Sequence, residues 1–326
     1  SDGPSTFGTT LARRCRMISL RKAMEDYLTM RRSLGFKLRD MGYNLRHFVS
    51  FMEKNGSSII TTELALRWAQ QPPDVQPAHW AARLSFVRSF ARYWSATDPR
   101  TEIPPMGLLP YRTKRATPYI YSNEEIQQLL KAARNLPPTT GLRPWTYYTL
   151  LGLMAVTGMR ISEVVRLDGA DVDLKQGLLT VRLTKFSKSR LIPLHPSTVK
   201  KLKLYLYRRD QLYPRPLTAR FFLSNQGTPL TDCMIRWTFV KLSRQIGLRE
   251  AGGSSGPRLH DLRHRFAVTT LLHWYRTGLD VEQRLPVLST YLGHAHVTDT
   301  YWYLSAIPEL LALTKDRLEK RWEALS

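Results

Sequence analysis

Acidic residues are scarce: 26 Asp and Glu stand against 49 Lys and Arg in 326 residues, giving a formal net charge of +23 and a pI near 10.3. That balance calls for a polyanionic partner, whether nucleic acid, an anionic membrane surface or an acidic protein. Long apolar runs are missing as well. No stretch approaches the roughly 18 residues of a spanning helix, and no secretory leader is expected. Cysteine is almost absent: Cys15 and Cys233 form neither a metal-ligand spacing nor a disulfide framework, so a reducing, cytoplasmic setting is expected. What is abundant is basic charge, and it is divided between the two sides of residue 116 rather than gathered in a tail. Such a spread suits a long polyanion held against two surfaces, because each neutralised phosphate releases counterions and adds salt-sensitive affinity. Double-stranded DNA or RNA fits best.

With 326 residues, 43% of them hydrophobic, the chain is long enough for about two domains. Residues 1–16, small and polar, are expected to be a disordered, tag-like N-terminus, with Met17 a candidate native start. Residues 17–98 carry apolar side chains at helical spacing in four blocks, separated near Gly35, after Gly56 and at Pro72, Pro73 and Pro77. This is an all-α unit with basic faces. "PRTEIPPMGLLPYRTKRATP", residues 99–118, has five prolines, a basic run and no periodicity, and reads as a linker. In the second unit, residues 119–326, Ser122 and Glu125 have capping-box spacing before a helix. The period then switches in "GLLTVRLTKFSKSRLIPL" to two short β-rich runs around a polar turn, a hairpin. A short "RFFLS" follows, and the remainder is mostly helical. The expected class is mainly α with a small β-sheet.

The polar residues can be placed on this frame. Arg160 in "TGMRISEVVRL" lies just beyond a glycine at the start of an amphipathic helix, and Glu163, three residues on, can orient its guanidinium. By itself such an arginine is equally a solvated or phosphate-contacting residue. Lys185, with Ser187, Lys188 and Ser189 nearby, sits at the hairpin turn, an ordinary surface or groove-contact position. "RLHDLRHRFAVTTLL" places His260, Arg263 and His264 on one helical face. The two histidines have zinc-pair spacing, but Asp261 replaces the glutamate of the H-E-x-x-H pattern and the basic surroundings disfavour a cation. The alternative is an anion site: a guanidinium fork for phosphate and a histidine handling a proton. Lys188, Arg190, Arg112, Lys114 and Arg115 are candidate DNA contacts. Together with "LGHAHVTDTYWYLS", these residues supply two arginines, a lysine, histidines and a candidate tyrosine nucleophile without a carboxylate cluster for Mg²⁺. That set is suited to phosphoryl transfer, which needs charge stabilisation, an activated nucleophile and a protonated leaving group.

"TGMRISEVVRL", "LTKFSKSRLIPL", "HDLRH", "LGH" and a tyrosine shortly after it occur in the order found in the tyrosine recombinases, the phage-integrase family. Over about two hundred residues the second unit resembles that family's catalytic domain. By size, position and charge the first unit resembles its core-binding domain. The resemblance implies a two-domain, C-shaped clamp around double-stranded DNA, with no metal and no other cofactor. It assigns Arg160 and Arg263 as the catalytic arginines, Lys185 as the general acid with Lys188 its competitor, and His260 and His294 as phosphate-contacting or proton-transferring groups. His264 and His296 fall outside the pattern, and packing or backbone contact is expected of them. Family members place the nucleophile nine residues after the LGH histidine, which selects Tyr303. Tyr301, about 200° around the helix, and Trp302 are expected to pack.

Two departures stand out. The 34-residue interval from His260 to His294 is longer than the family's habit, and the hairpin turn lacks the usual glycines. The resemblance further implies a 3′-phosphotyrosyl intermediate, a four-way junction and a tetrameric assembly. It also implies a C-terminal helix, 308–325, exchanged between protomers. The branch it suggests is that of mobile elements, in some of which a second recombinase takes part, placing the protein at the bacterial nucleoid and on no membrane. A type IB topoisomerase or a catalytically silent accessory DNA binder are the alternatives. Covalent-adduct formation separates both enzymes from the binder, and relaxation of plasmid without a target site separates the enzymes from each other.

Overall fold

The computed structural model describes residues 19–112, 117–182, 189–253 and 255–323. The expected disordered N-terminus, Lys114 and Arg115, and the hairpin turn carrying Lys185 and Lys188 lie outside the described residues. The chain divides into two compact units between Ala116 and Thr117.

The first unit is built from four helices: α1 (Leu20–Ser33), α2 (Arg39–Lys54), α3 (Thr62–Ala69) and α4 (Pro77–Trp94). Their starts are set locally. The Ser19 hydroxyl accepts from the Lys22 N–H, Thr61 does the same for Leu64, and Pro77 opens α4 where no intrahelical donor is needed. Met24, Leu28, Leu45, Phe48, Met52, Trp68, Leu84 and Phe90 close into one core. Much of the proline-rich stretch expected to link the units is fixed to this first unit. The Glu102 N–H donates to the Ile60 carbonyl and its carboxylate accepts from the Thr62 N–H. Arg88 donates to the carbonyls of Pro104 and Pro105, and Leu109 packs against the core. Proline removes donors but leaves carbonyls, and an arginine on α4 uses them. Arg112, just beyond, is exposed.

The second unit begins with α5 (Asn123–Arg134), α6 (Arg143–Thr157) and α7 (Ile161–Val165), and α6 is apolar nearly all round because it is surrounded. Strands β1 (Val172–Asp173), β2 (Leu178–Val181) and β3 (Arg190–Pro193) form an antiparallel sheet in that order, with Leu179 opposite Ile192 and Val181 opposite Arg190. Period-two alternation buries Leu179, Val181 and Ile192 and leaves Leu191 exposed. The "RFFLS" run makes only isolated bridges, Asp168 with Arg220 and Leu223 with Pro229. Helices α8 (Pro196–Leu212) and α9 (Asp232–Gln245) complete this core.

A satellite core follows, made by α10 (Asp261–Arg276), α11 (Val281–Leu292), α12 (Thr298–Ala306) and α13 (Pro308–Glu323). The long interval between His260 and His294 is taken up by a 16-residue α10, a short turn and α11. Helix α13 lies on its own chain through buried Leu310, the Thr314 hydroxyl bonded to Tyr275, and Arg317 bonded to the Leu279 carbonyl. Leu311, Leu318 and Trp322 remain exposed on it. Among the described residues no helix is long and apolar enough to cross a membrane.

The capping box expected at α5 is present: the Ser122 hydroxyl accepts from the Glu125 N–H at 3.1 Å and the Glu125 carboxylate from the Ser122 N–H at 2.7 Å. Ser122→Ala is therefore expected to lower the stability of the second unit by about 1 kcal/mol. A shifted denaturation midpoint with an unchanged denaturant slope would show it, and an unmoved midpoint would contradict it.

Candidate active site

The site grows out of two helix ends. Helix α6 stops at Gly158, whose φ of +62° is left-handed, and a Cβ there would lie 2.8 Å from the Phe266 ring. Helix α11 stops in the same way at Gly293, φ +68°, where a Cβ would lie 2.8 Å from an amino nitrogen of Arg190. The first turn delivers Arg160 in extended conformation to the start of α7. The second delivers His294.

Backbone groups at the end of α11 are accounted for one by one. The Gly293 N–H donates to the Thr290 carbonyl and the His294 N–H to that of Ser289. The next three carbonyls take guanidinium groups: Tyr291 receives Arg190 Nε at 2.6 Å, Leu292 receives Arg263 Nη2 at 2.6 Å, and Gly293 receives Arg160 Nη2 at 2.8 Å. Arg263 also donates to the Gly158 carbonyl at 2.8 Å, joining the two helix ends. A helix C-terminus is the negative end of the peptide dipole, so cations are favoured there.

Glu163 sits among the arginines. Its carboxylate accepts from the Arg160 N–H at 2.9 Å and guanidinium at 3.0 Å, and from two Arg190 nitrogens at 3.0 and 2.8 Å. The Glu163 side chain is 4% exposed. Burial opposes its charge, but the bonds and charges of Arg190 and Arg160 prevail and hold its carboxyl below the usual range. Arg190 was expected to contact DNA; its side chain is 9% exposed and engaged with Glu163. Arg263 is buried, and burial first, then the charge of Arg160, lowers it to about 9, so it stays cationic at neutral pH. Arg160 and Arg190 thus share one carboxylate, whose charge also acts on Arg263.

Arg263 projects from the first turn of α10, beside His260 and His264. Desolvation, then the charges of Arg263 and Arg160, push His260 down to about 4. Because the residue keeps exposed surface, water moderates the desolvation, and the arginine charges are the firmer part of that shift. The two histidine rings stand edge to face, 4.8 Å apart. Among the described residues no three His, Cys, Asp or Glu side chains group as metal ligands.

From α12, Tyr303 enters the same neighbourhood. It is 2% exposed, and its hydroxyl lies 2.9 Å from His264 Nδ1. Its charge also bears on Arg263. His294 Nδ1 pairs with the hydroxyl of fully buried Thr300 at 2.7 Å, which fixes the imidazole orientation. Trp302 packs against His264 and Tyr303 as expected, whereas Tyr301 is 50% exposed and does not pack into the core. His296 is exposed. Arg160, Glu163, His260, Arg263, His294 and Tyr303 therefore belong to one neighbourhood of the second unit, while Arg112 belongs to the first. The packing expected of His264 is present, against Trp302 and Tyr303, whereas its bond to the Tyr303 hydroxyl and the pairing of Thr300 with His294 were not foreseen. The available signals were the four-residue spacing of His264 from His260 and the helical spacing of Thr300 and Tyr303.

A small cavity of about 30 Å³ borders the cluster at Glu163, lined also by Arg166, Asp171 and Arg182. A cavity of about 400 Å³ lined by Tyr147, Met234 and Trp237 includes none of its side chains. A surface that receives a polymer backbone needs charge and reach more than an enclosing pocket.

Comparison with known proteins agrees with this geometry. A family model described as the phage integrase family matches residues 120–309. The chain is 53% identical over 311 residues to y4rB of Sinorhizobium fredii, which carries an integrase/recombinase name, covering 94% of this chain and 99% of that protein. It is 28% identical over 311 residues to the tyrosine recombinase XerC of Chlamydia caviae, covering 88% and 94%. Its fold is similar to that of a lambda integrase tetramer bound to a Holliday junction, with a TM-score of 0.60, 18% identity and coverage of 86% and 79%. Since the family model spans more than half of the chain and y4rB matches nearly all of it, the chain belongs to the phage integrase family, the tyrosine recombinases.

Proposed function

We propose that this protein cleaves and rejoins double-stranded DNA at a specific site through a 3′-phosphotyrosyl intermediate. The observation that carries the reading is the surplus of positive charge where Arg160 and Arg190 share Glu163 and buried Arg263 lies within the influence of Tyr303. A phosphodiester entering there neutralises a site already held in place by helix ends, so little reorganisation accompanies the reaction. Tyr303 Oη gives up its proton to solvent as it attacks phosphorus in line, while the bond to the 5′-oxygen breaks. Arg160, Arg263, His260 and His294 stabilise the charge on the non-bridging oxygens. Lys185 protonates the departing oxygen, with Lys188 the runner-up for that role. The ester energy stays in the phosphotyrosyl link, so the cycle requires neither ATP nor a metal cofactor.

A 5′-hydroxyl from a partner duplex then reverses the step. Two such rounds in a tetramer on DNA exchange strands through a four-way junction, in the integration, excision or transposition of a mobile element at the bacterial nucleoid. A second recombinase is a candidate participant. The first unit, 17–98, acts as the core-binding domain and 99–118 as its link to the catalytic domain, 119–326, with Arg112, Lys114, Arg115 and Lys188 on the DNA backbone. Exposed Leu311, Leu318 and Trp322 make α13 the surface through which protomers associate. The similar lambda integrase is a tetramer bound to a Holliday junction, which supports this assembly.

The decisive experiment is a nicked suicide substrate made from the ends of the native element, incubated with protein in EDTA and run on a denaturing gel. Wild type and Tyr301→Phe are expected to form a covalent adduct, and Tyr303→Phe none, with DNA affinity retained by all three. Tight binding without any adduct would instead point to an accessory DNA binder or to an enzyme that needs its partner recombinase. Relaxation of plasmid lacking the element ends would identify a topoisomerase.

Glu163→Gln removes the one carboxylate among three arginines. Breaking a buried ion pair from one side costs about 3–5 kcal/mol, and misplaced arginines slow adduct formation about tenfold or more. Because the folded carboxyl is held below its unfolded value, the stability it contributes is full at neutral pH and is lost as pH falls through the folded value. The gap in stability between wild type and variant should therefore close on acidification. A gap independent of pH down to the acid limit of the fold would contradict the ion-pair account.

A further inference from the structure

His264 is the group closest to the reacting oxygen for which the activity proposed above has no use. It sits one residue after Arg263 on α10, is 7% exposed, and has its Nδ1 2.9 Å from the Tyr303 hydroxyl. Its ring is held on three sides: edge to face with His260 at 4.8 Å, against Trp302 at 5.6 Å and against the Tyr303 ring at 5.5 Å. A side chain whose rotamer is fixed by packing, with one nitrogen aimed at a phenol, is an arrangement that sets direction.

We propose that His264 is a positioning residue for the nucleophile, its Nδ1 accepting the Tyr303 hydroxyl hydrogen so that the oxygen's lone pairs face the scissile phosphorus. The proposal rests on Tyr303 being the nucleophile. A phenol rotates freely about its C–O bond, and with its hydrogen turned toward the phosphate it presents a proton where it must present electrons. An acceptor on the other side removes that orientation.

For this the imidazole must be neutral. The ionisable groups that face it are His260, Asp261, Arg258 and Arg263 around the start of α10, and Tyr303 from α12. Desolvation, then His260, push His264 down to about 3, with Asp261 opposing and Arg258 and Arg263 adding to the fall. Nδ1 therefore stays unprotonated through the neutral and mildly acid range, and the tautomer that accepts at Nδ1 carries its hydrogen on Nε2.

The test compares His264→Asn with His264→Leu. The two replacements have the same branched shape and differ in the presence of polar atoms near the position of Nδ1. Adduct formation is followed on the suicide substrate described above and on a 5′-bridging phosphorothiolate version, whose sulfur leaves without being protonated. His264→Leu is expected to slow adduct formation about 10- to 100-fold at pH 7 on both substrates, with DNA affinity unchanged. The defect should narrow as pH rises toward the phenol's ionisation near 10, because a phenolate has no hydrogen to direct. His264→Asn should recover most of the rate. Equal losses in both variants with parallel pH profiles would make His264 a packing residue only. A variant faster than wild type would make the pair a restraint on the nucleophile, and either result overturns the proposal. Should His264→Leu not fold, His264→Asn decides alone: a rate near wild type sustains the proposal and a severe loss with intact DNA binding overturns it. The parent reading is checked separately, since it fails only when wild type makes no adduct or when Tyr303→Phe still makes one.

Discussion

Everything in the candidate site depends on how one helix ends. Helix α11 runs out of backbone partners at Tyr291, Leu292 and Gly293, and their carbonyls are taken by Arg190, Arg263 and Arg160 in turn. A buried carbonyl without a donor is costly, on the order of 1–3 kcal/mol. The same bonds that satisfy the helix therefore fix the arginines. Since Arg263 also holds the Gly158 carbonyl and Arg160 follows that turn, the two helix ends and the cations form one structure. None can move without leaving a buried polar group unpaired.

The consequence is electrostatic. Two like charges about 4 Å apart repel by roughly 4 kcal/mol at an effective dielectric constant of 20, and here the guanidinium groups of Arg160 and Arg190 converge on Glu163 while Arg263 holds the neighbouring helix ends. Burial first, and then the charges of neighbouring arginines, lower Arg263 and push His260 to about 4, while the helix-end carbonyls and Glu163 oppose the repulsion. An anion entering the site relieves the remaining strain. His260 and His264, both pushed down chiefly by burial, are neutral at pH 7 and act as hydrogen-bonding groups rather than as added charge.

Much of the architecture was legible in the sequence because it is written in local signals. Ser122 and Glu125 announce a helix start, and the alternation of Leu179 and Val181 announces a half-buried strand. What was not legible lies in long-range pairing. Arg190 reads as one more basic residue beside a hairpin, and only the antiparallel register that starts β3 at that residue turns it onto Glu163, 27 residues away, and onto Tyr291, 101 residues away. His264, at the end of "HDLRH", reads as a packing residue of a helix, and its partner is 39 residues on. The stretch 101–109 has a linker's composition, yet Arg88 and the Ile60 and Thr62 backbone bind it to the first unit. Composition records what a segment can do by itself and says little about which carbonyls another helix will claim.

The two glycines show why a short motif can carry so much. At Gly158 and Gly293 the backbone must turn left-handed, and a side chain would also collide, with Phe266 in one case and with Arg190 in the other. Any other residue would meet both penalties, the conformational one of about 1 kcal/mol and the displacement of a group that itself supports the site. The residue after each turn then leaves the helix in a direction set by that turn, which is how Arg160 and His294 reach the site from elements far apart in the chain. Sequence order within "TGMR" and "LGH" is therefore a record of geometry: the helix end, the left-handed residue that permits it, and the functional side chain that the turn delivers.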